Sequence, residues 1–147
     1  MLLTSAQCLK KYGHPSYKNN MVVWDIPQEL QKGKIPKQLY CNRDLIIPLE
    51  QAFNNLIERG HIDELKSWNG CFNIRTIRGS TAPSLHSWGV AIDLNAASNP
   101  FGHAPKLTAG FVACFTDVGF DWGGVWEKPD GMHFQLKQLG HDLENAN

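Results

Sequence analysis

Apolar residues recur at helical spacing most clearly between residues 44 and 59, where Leu45, Leu49, Ala52, Phe53, Leu56 and Ile57 share one stripe. Asn42 or Asp44 can cap the start of this helix and Gly60 can stop it. Pro48 fits only in a first turn, so the start slides toward residue 47. A second helix is predicted from Thr108 to Val118, closed near Gly119. Alternation predicts strands over Cys71–Arg78, Val90–Leu94 and Met132–Leu136. Residues 13–42 carry Gly13, Pro15, Pro27, Gly33 and Pro36 and read mostly as an irregular arm. Within the arm, Val22–Ile26 is either a short strand or a core anchor. Helices and neighbouring strands without βαβ repetition predict an α+β domain, a small antiparallel sheet packed with helices.

Composition narrows the class. The 147 residues fit a single domain, 1–147, and 42% hydrophobic with 19% charged residues is ordinary globular usage. Fourteen basic residues balance fourteen acidic ones. That balance argues against a nucleic-acid partner and removes any long-range pull toward anionic membranes. The run Leu45–Leu49 is far too short to cross a bilayer, so membrane insertion is not expected. The opening Met1–Gln7 lacks the features of a signal peptide, which places the chain in the cytoplasm of its cell. Cys8, Cys41, Cys71 and Cys114 form no CxxC pair and read as reduced residues in or near the core. A monomer is expected.

The chemistry concentrates in Ser84-Leu85-His86-Ser87-Trp88-Gly89-Val90-Ala91-Ile92-Asp93. On a strand, Ala91 and Asp93 share one face while Val90, Ile92 and Leu94 share the other, apolar one. His86 precedes the Gly89 turn and can fold back over the Asp93 face. By the same alternation Met132, Phe134 and Leu136 point to the core, and His133 and Gln135 point away. If the two strands are neighbours, His86, Asp93 and His133 converge. Two imidazoles and a carboxylate are a zinc set with one position left for water. Asp130, in the Pro129-Asp130-Gly131 turn, is placed to act as general base and acid beside such a metal, and Glu127 is a weaker rival. A peptide hydrolase also needs a cation where the oxyanion forms. Arg75 and Arg78 end the preceding strand and point to opposite faces, so one is expected to enter the site; Arg78, next to the Gly79 turn, is preferred. We read Trp88 and Trp126 as substrate walls, and Gly123-Gly124 as a place of close backbone approach. Taken singly, each of these residues has an ordinary explanation as a cap, turn, solvated charge or core residue. Their joint presence around two apolar strands is what points to a site. His14, His61, His103 and His141 show no partner pattern.

The segment 84–93 resembles the SxHxxGxAxD signature of the D-alanyl-D-alanine carboxypeptidase and phage L-alanyl-D-glutamate endopeptidase family. Asp130-Gly131-Met132-His133-Phe134 resembles its second motif, and Gly119–Gly124 the stretch before it. The resemblance spans residues 70–137. It implies a Hedgehog/DD-peptidase type fold, Zn2+ held by His86, Asp93 and His133, Asp130 as base and acid, and an arginine as carbonyl polariser. It also implies that Ser84 binds substrate or braces its loop. Two positions depart from the family: Val125 and Gln135 stand where relatives often carry acids. The implied partner is a peptidoglycan stem peptide. The implied role is a phage endolysin that cleaves the L-alanyl-D-glutamate bond, accumulates in the host bacterial cytoplasm, and reaches the wall once the membrane is permeabilised. The rival readings are a D-alanyl-D-alanine carboxypeptidase or dipeptidase, and a non-catalytic wall-binding module with a structural zinc.

Overall fold

The computed structural model describes residues 1–140; His141 lies outside the described residues. In chain order the regular elements are α1 (Ser5–Tyr12), β1 (Met21–Asp25), β2 (Gln38–Asn42), α2 (Ile46–Glu58), β3 (Trp68–Gly70), β4 (Ala91–Leu94), α3 (Ala109–Thr116), β5 (Phe120–Trp122) and β6 (His133–Leu136), joined by short 3-10 turns. This is the expected α+β arrangement. The main sheet runs β3-β4-β6-β5, antiparallel throughout, and β1 pairs with β2 in a separate ribbon.

Helix α2 forms where the apolar stripe predicts it. The side chain of Asn42 accepts from the Asp44 amide and starts a single 3-10 turn over Arg43–Leu45. Pro48 falls in the first turn of the α-helix that follows, where its missing N–H costs nothing. Helix α3 starts on Thr108, whose hydroxyl accepts from the Phe111 amide. The two helices cover the inner face of the sheet. Phe115 is the pivot of that core: its ring lies 4.7 Å from Phe134, 5.6 Å from Phe111 and 5.8 Å from Phe120. All four rings are fully buried.

Three expectations change. Residues 13–42 contain β1 and β2; most of Val22–Ile26 lies in β1 because Gln38–Asn42 supplies its partner, with Val23 opposite Tyr40. Helix α1 begins with a capping box between Thr4 and Gln7. The strand expected over Cys71–Arg78 is not part of the sheet: β3 ends at Gly70, and beyond it the segment makes only an isolated antiparallel bridge, Thr76 to Pro83. Its backbone bonds to the histidine loop instead. The Asn73 amide donates to the His86 carbonyl (3.1 Å) and the Ser84 amide to the Arg75 carbonyl (2.8 Å). The Arg75 amide donates to the Ser87 hydroxyl (3.2 Å). Buried amides need partners, and this loop provides them before any strand does.

All four cysteines are free and buried. Among the described residues no helix is long and apolar enough to cross a membrane. Phe115→Ala should cost about 3–5 kcal/mol, because it opens a cavity among the three rings that surround it. Urea denaturation with unchanged metal binding at saturating zinc is the check.

Candidate metal centre

Strands β4 and β6 pair so that Asp93 stands directly opposite His133, and Ala91 opposite Gln135. The small Ala91 leaves the space between them clear. Ser84 caps the 3-10 turn Leu85–Trp88, its hydroxyl accepting from the His86 amide at 3.3 Å. Gly89 then closes the turn in the left-handed region (φ +70°). A Cβ there would meet the Asn42 amide nitrogen at 2.7 Å, so both conformation and space require glycine. This turn folds His86 back over the Asp93 face, as the sequence suggests.

The three side chains converge. His86 Nε2 is 3.2 Å from His133 Nδ1 and 3.3 Å from Asp93 Oδ2. His133 Nδ1 is 3.5 Å from Asp93 Oδ1. One ligand atom from each lies within 4.8 Å of the other two. The outer ring nitrogens fix the tautomers. His86 Nδ1–H donates to the Cys71 carbonyl at 2.7 Å, and His133 Nε2–H donates to Gln135 Oε1 at 2.9 Å. Both inner nitrogens therefore present lone pairs to each other and to a carboxylate. Asp93 Oδ1 is buried with no hydrogen-bond partner. Three electron-rich atoms facing one point, one of them orphaned, fit a divalent cation, and the N2O donor set suits zinc. Burial pushes the Asp93 carboxyl up. Only when protonated would His133 and His86 donate to it and outweigh burial, which would hold the group below the usual carboxylate range.

A cavity of about 710 Å³ opens onto this centre, with His86, His133, Asp130, Arg75, Arg78, Ser84 and Trp126 among its walls. Asp130 sits in a turn whose amide donates to the Gly123 carbonyl at 2.8 Å. A Cβ on Gly123 would press on the Asp130 carbonyl at 2.6 Å, the close approach expected of the glycine pair. Asp130 is half-buried. Burial is the main cause that raises its pKa; the Asp93 charge adds to it, while His133, His86 and Arg78 oppose it. Trp126 packs its ring 5.3 Å from that of His133.

Two placements differ from the sequence reading. The arginine that reaches the cluster is Arg75, whose guanidinium lies 3.8 Å from Asp93 Oδ2. Arg78 instead lies over the Phe101 ring at 4.6 Å. Both line the cavity, because the segment is not an extended sheet strand and alternation does not separate them. Trp88 is buried and its indole N–H donates to the Gly13 carbonyl at 2.8 Å; it fastens the N-terminal arm and is not a wall of the cavity. Glu127 lines the cavity but has no contact with the cluster among those described.

The sequence reading also missed contributors. Gln135 carried a signal, since it shares the His133 face two residues on. The Cys71 carbonyl and the wall formed by Leu2–Ala6 carried none, because both depend on tertiary packing. Of the isolated histidines, His61 pairs with Glu64, which also accepts from the Thr108 hydroxyl at the start of α3.

Residues 78–136 match the family model described as D-alanyl-D-alanine carboxypeptidase. Over that segment the chain is similar to this family. The match covers less than half of the chain and includes all three converging side chains and Asp130. No curated protein and no solved structure matches the chain. The two imidazoles, each hydrogen-bonded through its outer nitrogen, and Asp93 are the side chains that could hold a metal ion. His86→Ala should abolish stoichiometric zinc, whereas Gln135→Ala should retain it with affinity weakened about 10–100-fold, as read by competition with a chromogenic chelator.

Proposed function

We propose that the protein is a zinc-dependent peptidase of peptidoglycan stem peptides, acting as an endolysin on the L-alanyl-D-glutamate bond. The observation that carries the reading is the pair of imidazoles with inward lone pairs beside an orphaned carboxylate, at a cavity that also holds Asp130. The family match over residues 78–136 supports the peptidase class.

His86, Asp93 and His133 would hold the ion. When bound, zinc would supply Lewis acidity there and lower the pKa of water toward about 7. The remaining work falls to side chains of this chain. Asp130 takes the proton of the attacking water and delivers it to the leaving amine. Its raised pKa suits both halves of that cycle. Arg75, held by Ser87 and Ser84 through its backbone and by Asp93 through its guanidinium, offers positive charge to the scissile carbonyl oxygen. Ser84 braces the His86 turn. The substrate is the stem peptide, the chain acts as a monomer, and neither nucleic acid nor membrane insertion enters its function. It would accumulate in the host cytoplasm and act once the membrane is permeabilised.

Digestion of purified sacculi by the zinc-loaded protein should release stem peptides with a new free amine on glutamate, and leave L-alanine on the glycan. Loss of a single D-alanine would instead favour the carboxypeptidase reading. Absence of any product with zinc bound would leave the wall-binding module.

Asp130→Asn should lower the rate by about two or more orders of magnitude while zinc stays bound. The pH dependence has a defined sign. The Asp130 pKa is raised on folding, so its ionisation costs stability as the pH rises through that value. The Asn variant should then be no less stable than the parent at neutral pH. In the parent, kcat/KM should rise with pH along an acid limb that lies above the ordinary aspartate range.

A further inference from the structure

Beyond the metal centre, the cavity wall carries an arrangement that the peptidase mechanism does not use. Phe101 receives two cations: Arg78 lies 4.6 Å and Lys128 5.6 Å from its ring centroid. Neither makes a contact ion pair with a described carboxylate, although Asp130 lies near enough to Arg78 for their charges to interact. All three residues line the same cavity as His86, His133 and Asp130. Two like charges gathered on one ring repel each other unless an anion joins them.

The loop that carries the ring is tied down through its backbone. The Gly102 amide, next to Phe101, donates to the Pro129 carbonyl at 2.7 Å, which ties this loop to the turn that carries Lys128 and Asp130. Asn99 fastens the other side: its amide group donates to the Asn95 carbonyl at 3.0 Å and its oxygen accepts from the Lys106 amide at 2.7 Å. Phe101 is thus a fixed platform that positions both cations beside the residues of the reaction.

The geometry points to an anion subsite: Arg78 and Lys128, gathered on Phe101, bind a free carboxylate on the peptide residue next to the scissile bond. Lys128 and Phe101 are then specificity-determining residues and take no part in bond cleavage. Arg75, engaged with Asp93, serves the carbonyl, and Arg78 serves the carboxylate. This inference rests on the peptidase reading and names the substrate class that the cavity favours, an acidic peptide.

The test uses two stem tetrapeptides that differ only at the second residue, one with a free α-carboxylate and one amidated there. The zinc-loaded parent should favour the acidic peptide by about tenfold or more in kcat/KM, mainly through KM, as expected for one charge-assisted contact. Lys128→Met and Phe101→Leu should erase most of that preference while leaving the rate on the amidated peptide and the thermal midpoint unchanged. Added salt should shrink the preference of the parent. Equal treatment of the two peptides by the parent, or a full preference retained in both variants, would overturn the inference. Calorimetric binding of both peptides to zinc-loaded Asp130→Asn gives a readout independent of turnover. If the parent cleaves neither peptide but this protein binds the acidic one selectively and Lys128→Met in the same background does not, the subsite stands and the proposed activity falls. If binding is unselective, the subsite falls whatever the activity.

Discussion

Two neutral imidazoles that aim lone pairs at each other across 3.2 Å, beside a buried carboxylate, are an unfavourable arrangement without a cation between them. The protein enforces it all the same. The Cys71 carbonyl and Gln135 each take the proton of an outer ring nitrogen, so neither histidine can turn its donor inward without abandoning a good hydrogen bond. The remaining structure can be understood as the frame that keeps these atoms facing one point.

That frame has two layers. Below, the rings of Phe111, Phe115, Phe120 and Phe134 fill the space between the sheet and its helices, and this fixes where β4 and β6 lie. The antiparallel register then sets Asp93 against His133 with no further adjustment. Above, the segment 71–78 and the capped turn 84–89 bond to each other instead of extending the sheet. The exchange brings a backbone carbonyl to His86 and a guanidinium to Asp93. Helix α1 completes the wall: the Ser5 hydroxyl donates to the Pro83 carbonyl, and Trp88 anchors the end of the helix through Gly13.

Much of this was legible in the residues. The α2 stripe, the Thr108 cap and the alternation in 90–94 and 132–136 reflect local propensity and one buried face, and each appears where the pattern places it. The segment 71–78 misled for a physical reason. Its alternation is real, but a strand needs a partner ladder, and serine side chains and carbonyls of the histidine loop satisfy its backbone first. The preference for Arg78 over Arg75 inherited that error, because it assumed extended geometry. Trp88 shows a similar limit: a large aromatic beside a motif is equally suited to a pocket wall and to a buried anchor, and only the position of Gly13 decides between them.

By itself the sequence determined the identity of the three ligand candidates, the turn that carries Asp130, and the class of fold, because these follow from side-chain chemistry and short-range periodicity. Tertiary structure alone decided which arginine meets Asp93, which groups orient the imidazoles, and that Phe101 gathers two cations beside the cavity. Those contacts join residues far apart in the chain, or use backbone atoms that every residue shares. No local pattern can encode them until packing has brought the segments together.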